Sequence, residues 1–180
     1  LQASEPSTFA AVDTVAEDIC MIAFTSGTTG APKGTLHFHR DVLAACDCFP
    51  PACLQATPDD VFCGTPPLAF TFGLGGLLLF PLRVGASTVL IERLTPTLLL
   101  SAIEERRATI CFTAPTFYRQ MAPVAFEYDI ASLRKCVSAG EALPVATREL
   151  WEKETGVRLI GYVVNGPRNS KIQAAAPGHV

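Results

Sequence analysis

Short apolar runs alternate with longer, mixed stretches along most of this 180-residue chain. The runs have the length of β-strands, and the mixed stretches have the length and end signals of helices. The candidate strands span residues 19–25, 61–65, 87–91, 109–113, 134–138 and 157–160. The candidate helices span residues 40–49, 74–80, 96–107, 116–121 and 144–155. This order predicts an α/β fold in which helices flank a mostly parallel sheet.

Two of the candidate helices have clear ends. Thr95 is a capping residue with Pro96 in the first turn after it, and Gly156 follows the last residue of the final helix. Residues 1–17 are polar and show no period, so we expect a connecting segment there. No repeat or linker divides the rest. We therefore expect residues 18–160 to form a partial domain and residues 161–180 a divergent or truncated tail.

The composition narrows the function classes. Hydrophobic residues make up 49% of the chain, which is enough for a core and excludes disorder of the whole. The net charge of −3, with scattered Lys and Arg, speaks against a nucleic-acid partner. The longest apolar stretch, residues 72–82, is shorter than the roughly 18–20 residues that a bilayer requires, so no membrane span is expected. No targeting segment is recognisable at the first residues.

The cysteines indicate a reducing compartment. The chain has seven of them, an odd number, and no C-x-x-C pair, which is typical of free thiols in a cytoplasmic protein. Cys46, Cys48 and Cys53 form the one cluster in the sequence. A zinc site would need a fourth ligand at tetrahedral spacing, so ordinary half-buried cysteines are the favoured interpretation and no metal ligand is assigned.

The stretch FTSGTTGAPKGTLHFHR, residues 24–40, follows the first candidate strand and is rich in glycine and hydroxyl groups. Glycines let the backbone turn and present successive N–H groups to an anion, and the hydroxyls and a lysine add donors. The residues expected to bind phosphate are Thr25, Ser26, Gly27, Thr28, Thr29, Gly30 and Lys33. The P-loop pattern does not fit, because here the lysine follows a proline and precedes a glycine. The alternatives are a flexible surface loop and, for Lys33, a solvated charge.

Residues 25–34, T-S-G-T-T-G-A-P-K-G, resemble the signature phosphate loop of the adenylate-forming enzymes, which include acyl-CoA synthetases, luciferases and peptide-synthetase adenylation domains. The runs GTLHFHRDVLAACDCF and PPLAFTFGLGGLLLFPL are similar to the aryl-acid branch, in particular the benzoate–CoA and 2-aminobenzoate–CoA ligases. The resemblance covers about residues 18–160. It implies a central piece of the large N-terminal domain of a luciferase-like fold.

The same resemblance implies a reaction. A carboxylate attacks the α-phosphate of ATP, pyrophosphate leaves, and the acyl-adenylate passes its acyl group to the thiol of coenzyme A. Mg²⁺ and the loop donors would stabilise the charge that shifts onto pyrophosphate. The small-molecule partner would be an aromatic carboxylate such as benzoate or 2-aminobenzoate.

Further site residues follow from the resemblance. Phe70, Phe72 and Gly73 occupy the position that binds the acid, where aromatic rings and glycines suit a flat ligand. The alternative for the two rings is simple core packing. The segment SAGEALP is similar to the one that lines adenine and ribose, which assigns Gly140, Glu141 and Ala142 to adenosine; the alternative is a solvent-exposed turn.

Two histidines, His37 and His39, follow the loop. One of them is expected to cap the next helix or to touch the acid site. Neither has a carboxylate partner nearby in sequence, so a general-base role is not favoured.

The sequence departs from the family after residue 160. The family continues there to a Gly-x-Thr-Glu segment that binds phosphate and Mg²⁺, whereas counting along this chain places Gly166 and Pro167 at the Thr and Glu positions. Residues 161–173 look locally replaced, by a frame change, a cloning artefact or true divergence. The small mobile C-terminal domain, with its adenylation lysine, has no counterpart, so no catalytic residue is assigned.

These departures leave two function classes open. The first is a fragment of an aryl-acid–CoA ligase, in which this chain alone would be inactive and would self-associate through apolar faces that its missing neighbours would cover. The second is a non-catalytic nucleotide-binding or interaction module derived from that family.

Overall fold

A computed structural model describes residues 8–25, 33–163 and 173–174 of the chain. The chain divides into two compact units, Leu1–Ala45 and Cys46–Val180. The boundary falls within the first helix, α1 (His39–Phe49). The phosphate-loop residues 26–30 lie outside the described residues, as do Gly166 and Pro167.

The first unit contains an antiparallel hairpin. Strand β1 (Ile19–Thr25) pairs with β2 (Lys33–Phe38), and the last pair in the register joins Thr25 to Lys33. The bounds predicted for β1 are confirmed, but its expected place in the parallel sheet is wrong. The sequence interpretation also missed β2, because Gly34 and His37 obscure its alternation.

The second unit contains a six-stranded sheet in the order β4-β3-β5-β6-β7-β8. The first five strands in this order are parallel, and the short β8 at the edge is antiparallel to β7. The predicted α/β fold with a mostly parallel sheet is therefore confirmed. The strands are β3 (Val61–Gly64), β4 (Ser87–Val89), β5 (Ile110–Thr113), β6 (Lys135–Ser138), β7 (Leu159–Val163) and β8 (Gln173–Ala174).

Helices connect these strands, as predicted. The α-helices of this unit are α2 (Thr71–Leu74), α3 (Phe80–Val84), α4 (Pro96–Arg106), α5 (Pro115–Met121) and α6 (Val145–Thr155). Thr95 caps α4 by accepting a hydrogen bond from the Leu98 N–H at 3.2 Å, and α6 ends at Gly156 with a φ of +70°, where glycine is favoured.

Three irregular turns escaped prediction. Two are π-helical, Pro50–Leu54 and Gly75–Leu79, and one is a 3₁₀ turn, Ala122–Glu127. The turn Gly75–Leu79 joins α2 to α3, so the single helix expected at residues 74–80 is longer and is interrupted in its middle.

A row of thiols lies on one face of the sheet. Cys63, Cys111 and Cys136 stand side by side in register on three neighbouring strands, and all three are fully buried. They pack under Tyr118 of α5 and Trp151 of α6, whose rings meet edge to face with centroids 4.9 Å apart. The Tyr118 hydroxyl donates to the Cys111 carbonyl at 2.9 Å, which satisfies the polar tip of a fully buried ring.

The opposite face is aromatic. Phe112 stacks on Phe62, with ring centroids 6.1 Å apart, and makes tilted contacts with Phe72 at 5.7 Å and Phe80 at 6.4 Å. A Cβ atom at Gly76 would lie 2.5 Å from the Phe112 ring, so a glycine is required there for the π-helical turn to approach the sheet. Helices therefore cover both faces, in three layers.

A polar network ties together the amino ends of three strands. Asp60, Thr109 and Arg134 each directly precede a strand: β3, β5 and β6. The Asp60 carboxylate accepts from Thr109 Oγ1 at 2.6 Å and from Arg134 Nε at 2.9 Å, and Arg134 Nη2 bonds its second oxygen. Arg134 Nη1 also donates to the Leu54 carbonyl at 2.7 Å.

The charge of Asp60 is stabilised although the residue is only 4% exposed. Burial opposes ionisation, but the hydrogen bonds from Arg134, Thr109 and the Thr57 backbone outweigh it and lower the pKa of Asp60 to about 2.

None of the helices in the described part of the chain is long and apolar enough to cross a membrane.

We expect Asp60→Asn to lower the free energy of unfolding by about 2 kcal/mol at pH 7. A pKa lowered to about 2 in the folded state adds about this much to the stability of the folded protein. Since the folded pKa lies below the unfolded one, this contribution is complete above about pH 4 and is lost as the pH falls towards 2. The measurement is urea unfolding across pH, followed by fluorescence of the buried Trp151. The exposed neighbour provides the control, because Asp59→Asn should leave the stability unchanged; equal effects of both variants would contradict the network.

We expect the thiol row to be inert in the folded protein. Hydrogen bonding with Cys111, together with burial, raises the pKa of Cys63, and burial raises the pKa of Cys136. Both thiols therefore stay protonated, and burial also keeps an alkylating reagent away from them. Timed iodoacetamide pulses with peptide mass spectrometry should modify the exposed Cys48 and leave the row unmodified until urea unfolds the protein. Alkylation of Cys111 as fast as Cys48 in the native state would refute this packing.

Candidate functional site

The structure describes only the flanks of the predicted phosphate loop. Thr25 ends β1 and Lys33 begins β2, so the intervening residues 26–32 connect two paired strands. The Lys33 side chain is exposed. The assignment of the loop to phosphate stays a prediction.

The carboxyl ends of the parallel strands carry a row of hydroxyl groups. Thr113 and Ser138 end β5 and β6 in register, and the Thr113 hydroxyl hydrogen-bonds that of Thr65, just beyond β3, at 2.5 Å. Alternation along each strand places this row on the same face as the thiols. Ser138 is 1% exposed, and its Oγ has no hydrogen-bond partner within the described residues. Polar side chains therefore concentrate at the sheet edge where open α/β sheets bind ligands.

The residues assigned to adenosine follow β6 at this edge. Gly140 has a φ of +91°, a conformation that favours glycine, and its chain turns there before α6. Glu141 and Ala142 are exposed, as a ligand-binding segment requires and as a plain turn would also be.

The Glu141 carboxylate has a specific partner on the neighbouring helix. Its Oε1 accepts a hydrogen bond of 2.8 Å from the Thr116 hydroxyl, near the start of α5. The sequence interpretation missed Thr116. A signal was available, because Thr116 lies three residues after the end of β5 and the ends of neighbouring parallel strands share one edge.

The residues assigned to the acid differ in their surroundings. Phe70, which precedes α2, is 66% exposed. Phe72 is half-buried, with its ring against Phe112. Gly73 is buried, and a Cβ atom there would overlap the carbonyl oxygen of Pro67. Phe72 is thus partly a packing residue and partly open, while Gly73 allows a close backbone approach.

Phe112 supports the Phe72 ring from below and was also missed by the sequence interpretation. It lies in a predicted strand, where an apolar residue indicates only a core position.

The two histidines lie in regular secondary structure, His37 in a strand and His39 in a helix. His37 lies half-buried in β2, and its carbonyl oxygen accepts a bond from the Cys20 thiol at 3.4 Å. His39 is the first residue of α1, and its backbone N–H donates to the Asp18 carbonyl at 3.1 Å. The described contacts of both residues are made by their backbones.

The cysteine cluster of the sequence is spread over two elements. Cys46 and Cys48 lie in α1, and Cys53 lies in the π-helical turn Pro50–Leu54. Within the described ranges, no three His, Cys, Asp or Glu side chains are grouped so that they could hold a metal ion.

The second unit thus offers hydroxyl groups, an exposed carboxylate and a half-open aromatic ring. Such groups bind and orient a ligand by hydrogen bonds and flat contact.

Comparison with known proteins gives one consistent family. The model of the AMP-binding enzyme family matches residues 2–166. The benzoate–CoA ligase of Thauera aromatica is 36% identical over 163 residues, covering 89% of this chain and 31% of that protein. The long-chain-fatty-acid–CoA ligase of Bacillus subtilis is 31% identical over 153 residues, covering 81% of this chain and 27% of that protein.

The solved structures agree with the fold. The anthranilate CoA ligase AuaEII, crystallised with anthranoyl-AMP, superposes with a TM-score of 0.83 at 38% identity, over 91% of this chain and 32% of that one. The chain therefore spans about a third of the length of the relatives it matches.

Proposed function

Since the chain belongs to the AMP-binding enzyme family, we propose that the complete protein activates an aromatic carboxylic acid with ATP and transfers the acyl group to coenzyme A. The observation that carries the choice of acid is the Phe72 ring, which lies against Phe112 and is only half-buried. We also propose that residues 18–160 form part of the AMP-binding domain, after a connecting segment at 1–17. Because all seven cysteines are free, we propose a cytoplasmic location.

The reaction takes place in two steps. In the first, a carboxylate oxygen of the acid bonds to the α-phosphorus of ATP, the bond to the bridging oxygen breaks, and pyrophosphate leaves with the electron pair. In the second, the thiol sulfur of coenzyme A bonds to the acyl carbon, the bond from that carbon to the phosphate oxygen breaks, AMP leaves with the electron pair, and the thiol proton is released. Neither step needs an outside oxidant or reductant.

Each unit has a segment that we propose for nucleotide binding. The loop residues 25–30 and Lys33 would donate to the β- and γ-phosphates, because successive N–H groups, hydroxyls and an ammonium suit an anion. Gly140, Glu141 and Ala142 would lie along the adenosine, at the carboxyl end of β6. Mg²⁺ would enter with the phosphates, since it is usually bound by phosphate oxygens and only one or two protein carboxylates.

The acid would lie against the aromatic face of the sheet. An aryl ring packs well against an aromatic ring such as Phe72, which is half-buried and rests on the buried Phe112 with the centroids 5.7 Å apart. Phe70 is exposed beside the start of α2 and would cover the ligand. These contacts favour an aromatic acid over the fatty acid of the Bacillus subtilis relative.

A second function is favoured by one observation. The Gly-x-Thr-Glu segment of the family has Gly166 and Pro167 at its last two positions here. A protein without this glutamate would bind the nucleotide and lack the carboxylate that holds Mg²⁺, so it would act as a nucleotide-binding module.

Detection of the products separates the two functions. The complete protein is incubated with ATP, Mg²⁺ and benzoate or 2-aminobenzoate, and acyl-AMP and pyrophosphate are measured. The ligase produces both, and coenzyme A then yields acyl-CoA. ATP binding without either product would support the module.

We expect Lys33→Ala and Thr29→Val to reduce adenylation more than tenfold, a barrier increase of at least about 1.4 kcal/mol, because each removes a donor to the phosphates. The acid's KM should change less. Pyrophosphate exchange measures both effects, and Lys153→Ala, an exposed lysine of α6, is the control. Rates within twofold of the wild type in both variants would rule out the loop assignment.

We expect Phe72→Ala to raise the KM for the aromatic acid and to leave the KM for ATP within about twofold. The ring would lose its contact with the ligand, which for aromatic pairs is worth about 0.5–1.5 kcal/mol beyond burial. Pyrophosphate exchange at varied acid measures the change. Phe126→Ala removes a ring that is 78% exposed in the 3₁₀ turn and serves as the control. If Phe72→Ala only lowers stability, and the folded fraction binds acid normally, the core-packing alternative is correct.

A further inference from the structure

Residues 140–142, in the turn after β6, are exposed. Gly140 has a positive φ, and no atom lies within 4 Å of the position that a Cβ would occupy there. Glu141 and Ala142 are both exposed. The hydrogen bond from Thr116 to Glu141, 2.8 Å long, is thus the side-chain contact that links this turn to α5.

The Thr116 end of this bond is firmly held. Pro115 is buried, and Tyr118 two residues later is fully buried with its hydroxyl bonded to the Cys111 carbonyl. A side chain that stands between two anchored residues keeps its place with little loss of entropy. Glu141 instead stands between two exposed residues, Gly140 and Ala142, so its position is the one that the bond determines.

We propose that Thr116 is a positioning residue for nucleotide binding: its hydroxyl holds the Glu141 carboxylate, and through it the turn 140–142, in the arrangement that receives adenosine. This inference rests on the proposed function. Thr116 itself touches no substrate and no reacting atom. Its contribution appears as a lower KM for ATP, because the turn is arranged before the nucleotide arrives.

The chain supplies a closely matched control. Thr97 is the second residue of α4, after Pro96, just as Thr116 is the second residue of α5, after Pro115. Both threonines are exposed, and the Thr97 hydroxyl is 3.1 Å from that of Thr95, outside the turn. Replacement of either by valine removes one hydroxyl at nearly constant shape.

The test uses Thr116→Val, Thr116→Ser and Thr97→Val in the complete protein. Pyrophosphate exchange is measured at varied ATP and at varied acid. We expect Thr116→Val to raise the KM for ATP about threefold to tenfold, as the loss of one exposed hydrogen bond to a carboxylate implies, with kcat and the KM for the acid within about twofold. Thr116→Ser keeps the hydroxyl and should restore the wild-type KM, and Thr97→Val should match the wild type.

Hydrogen exchange provides a second, activity-independent measurement. The amides of residues 140–142 should exchange at least about threefold faster in Thr116→Val than in the wild type, while those of β6 are unchanged. If Thr116→Val behaves like Thr97→Val in both measurements, or if Thr116→Ser is equally impaired, the inference is wrong and the proposed function stands. If the wild type makes no pyrophosphate with any aromatic acid, the proposed function fails. Hydrogen exchange then decides: faster exchange supports the bond between Thr116 and the turn, and unchanged exchange overturns it.

Discussion

One carboxylate aligns the central strands of the sheet. Asp60 accepts hydrogen bonds from Thr109 and Arg134, and each of these three residues directly precedes a strand. A parallel sheet has no tight hairpins to set its register. Long-range polar contacts at the strand ends help to set the register instead. A slip of one residue in β5 or β6 would exchange the thiol row for the aromatic face. The positions of Thr113 and Ser138 at the far ends of the strands depend on the same alignment.

The two faces of the sheet differ in their proposed roles. One face packs the core under α5 and α6, and the other carries the ring proposed to bind the acid. Small thiols on one face leave room for Tyr118 and Trp151, the largest fully buried side chains. The other face carries Phe112, whose ring reaches the half-open Phe72. A change of side-chain volume in the thiol row acts on the helices α5 and α6. Helix α5 carries both Tyr118, which packs on the row, and Thr116. The packed core and the carboxyl edge are therefore coupled by one short helix.

Local sequence signals predicted the features that depend on neighbouring residues, such as helix ends and buried strands. The Thr95 cap and Gly156 marked the ends of α4 and α6, and apolar runs marked the parallel strands, because burial on both faces leaves little else in them. The pairing of β1 with β2 was not predictable from local signals. Its partner strand, β2, is separated from β1 in sequence by residues 26–32, which are rich in glycine and hydroxyl groups. The π-helical turn Gly75–Leu79 depends on the approach of Gly76 to the Phe112 ring, a tertiary contact. For the site, motif resemblance identified segments, while Thr116 and Phe112 required the fold to bring them beside Glu141 and Phe72.

The parallel sheet continues into β7, the strand in which the tail at residues 161–180 begins. Strand β7 still pairs with β6 through Gly161, which stands opposite Ser138, so the sheet is kept to the point where the assigned adenosine segment begins. Tyr162 and Val163 continue into the antiparallel pair with β8. Asp60 aligns the strands at the amino edge, while the hydroxyl groups and the segment proposed for adenosine lie at the carboxyl edge, so the contacts that set the register are separated from the proposed site by the length of the strands.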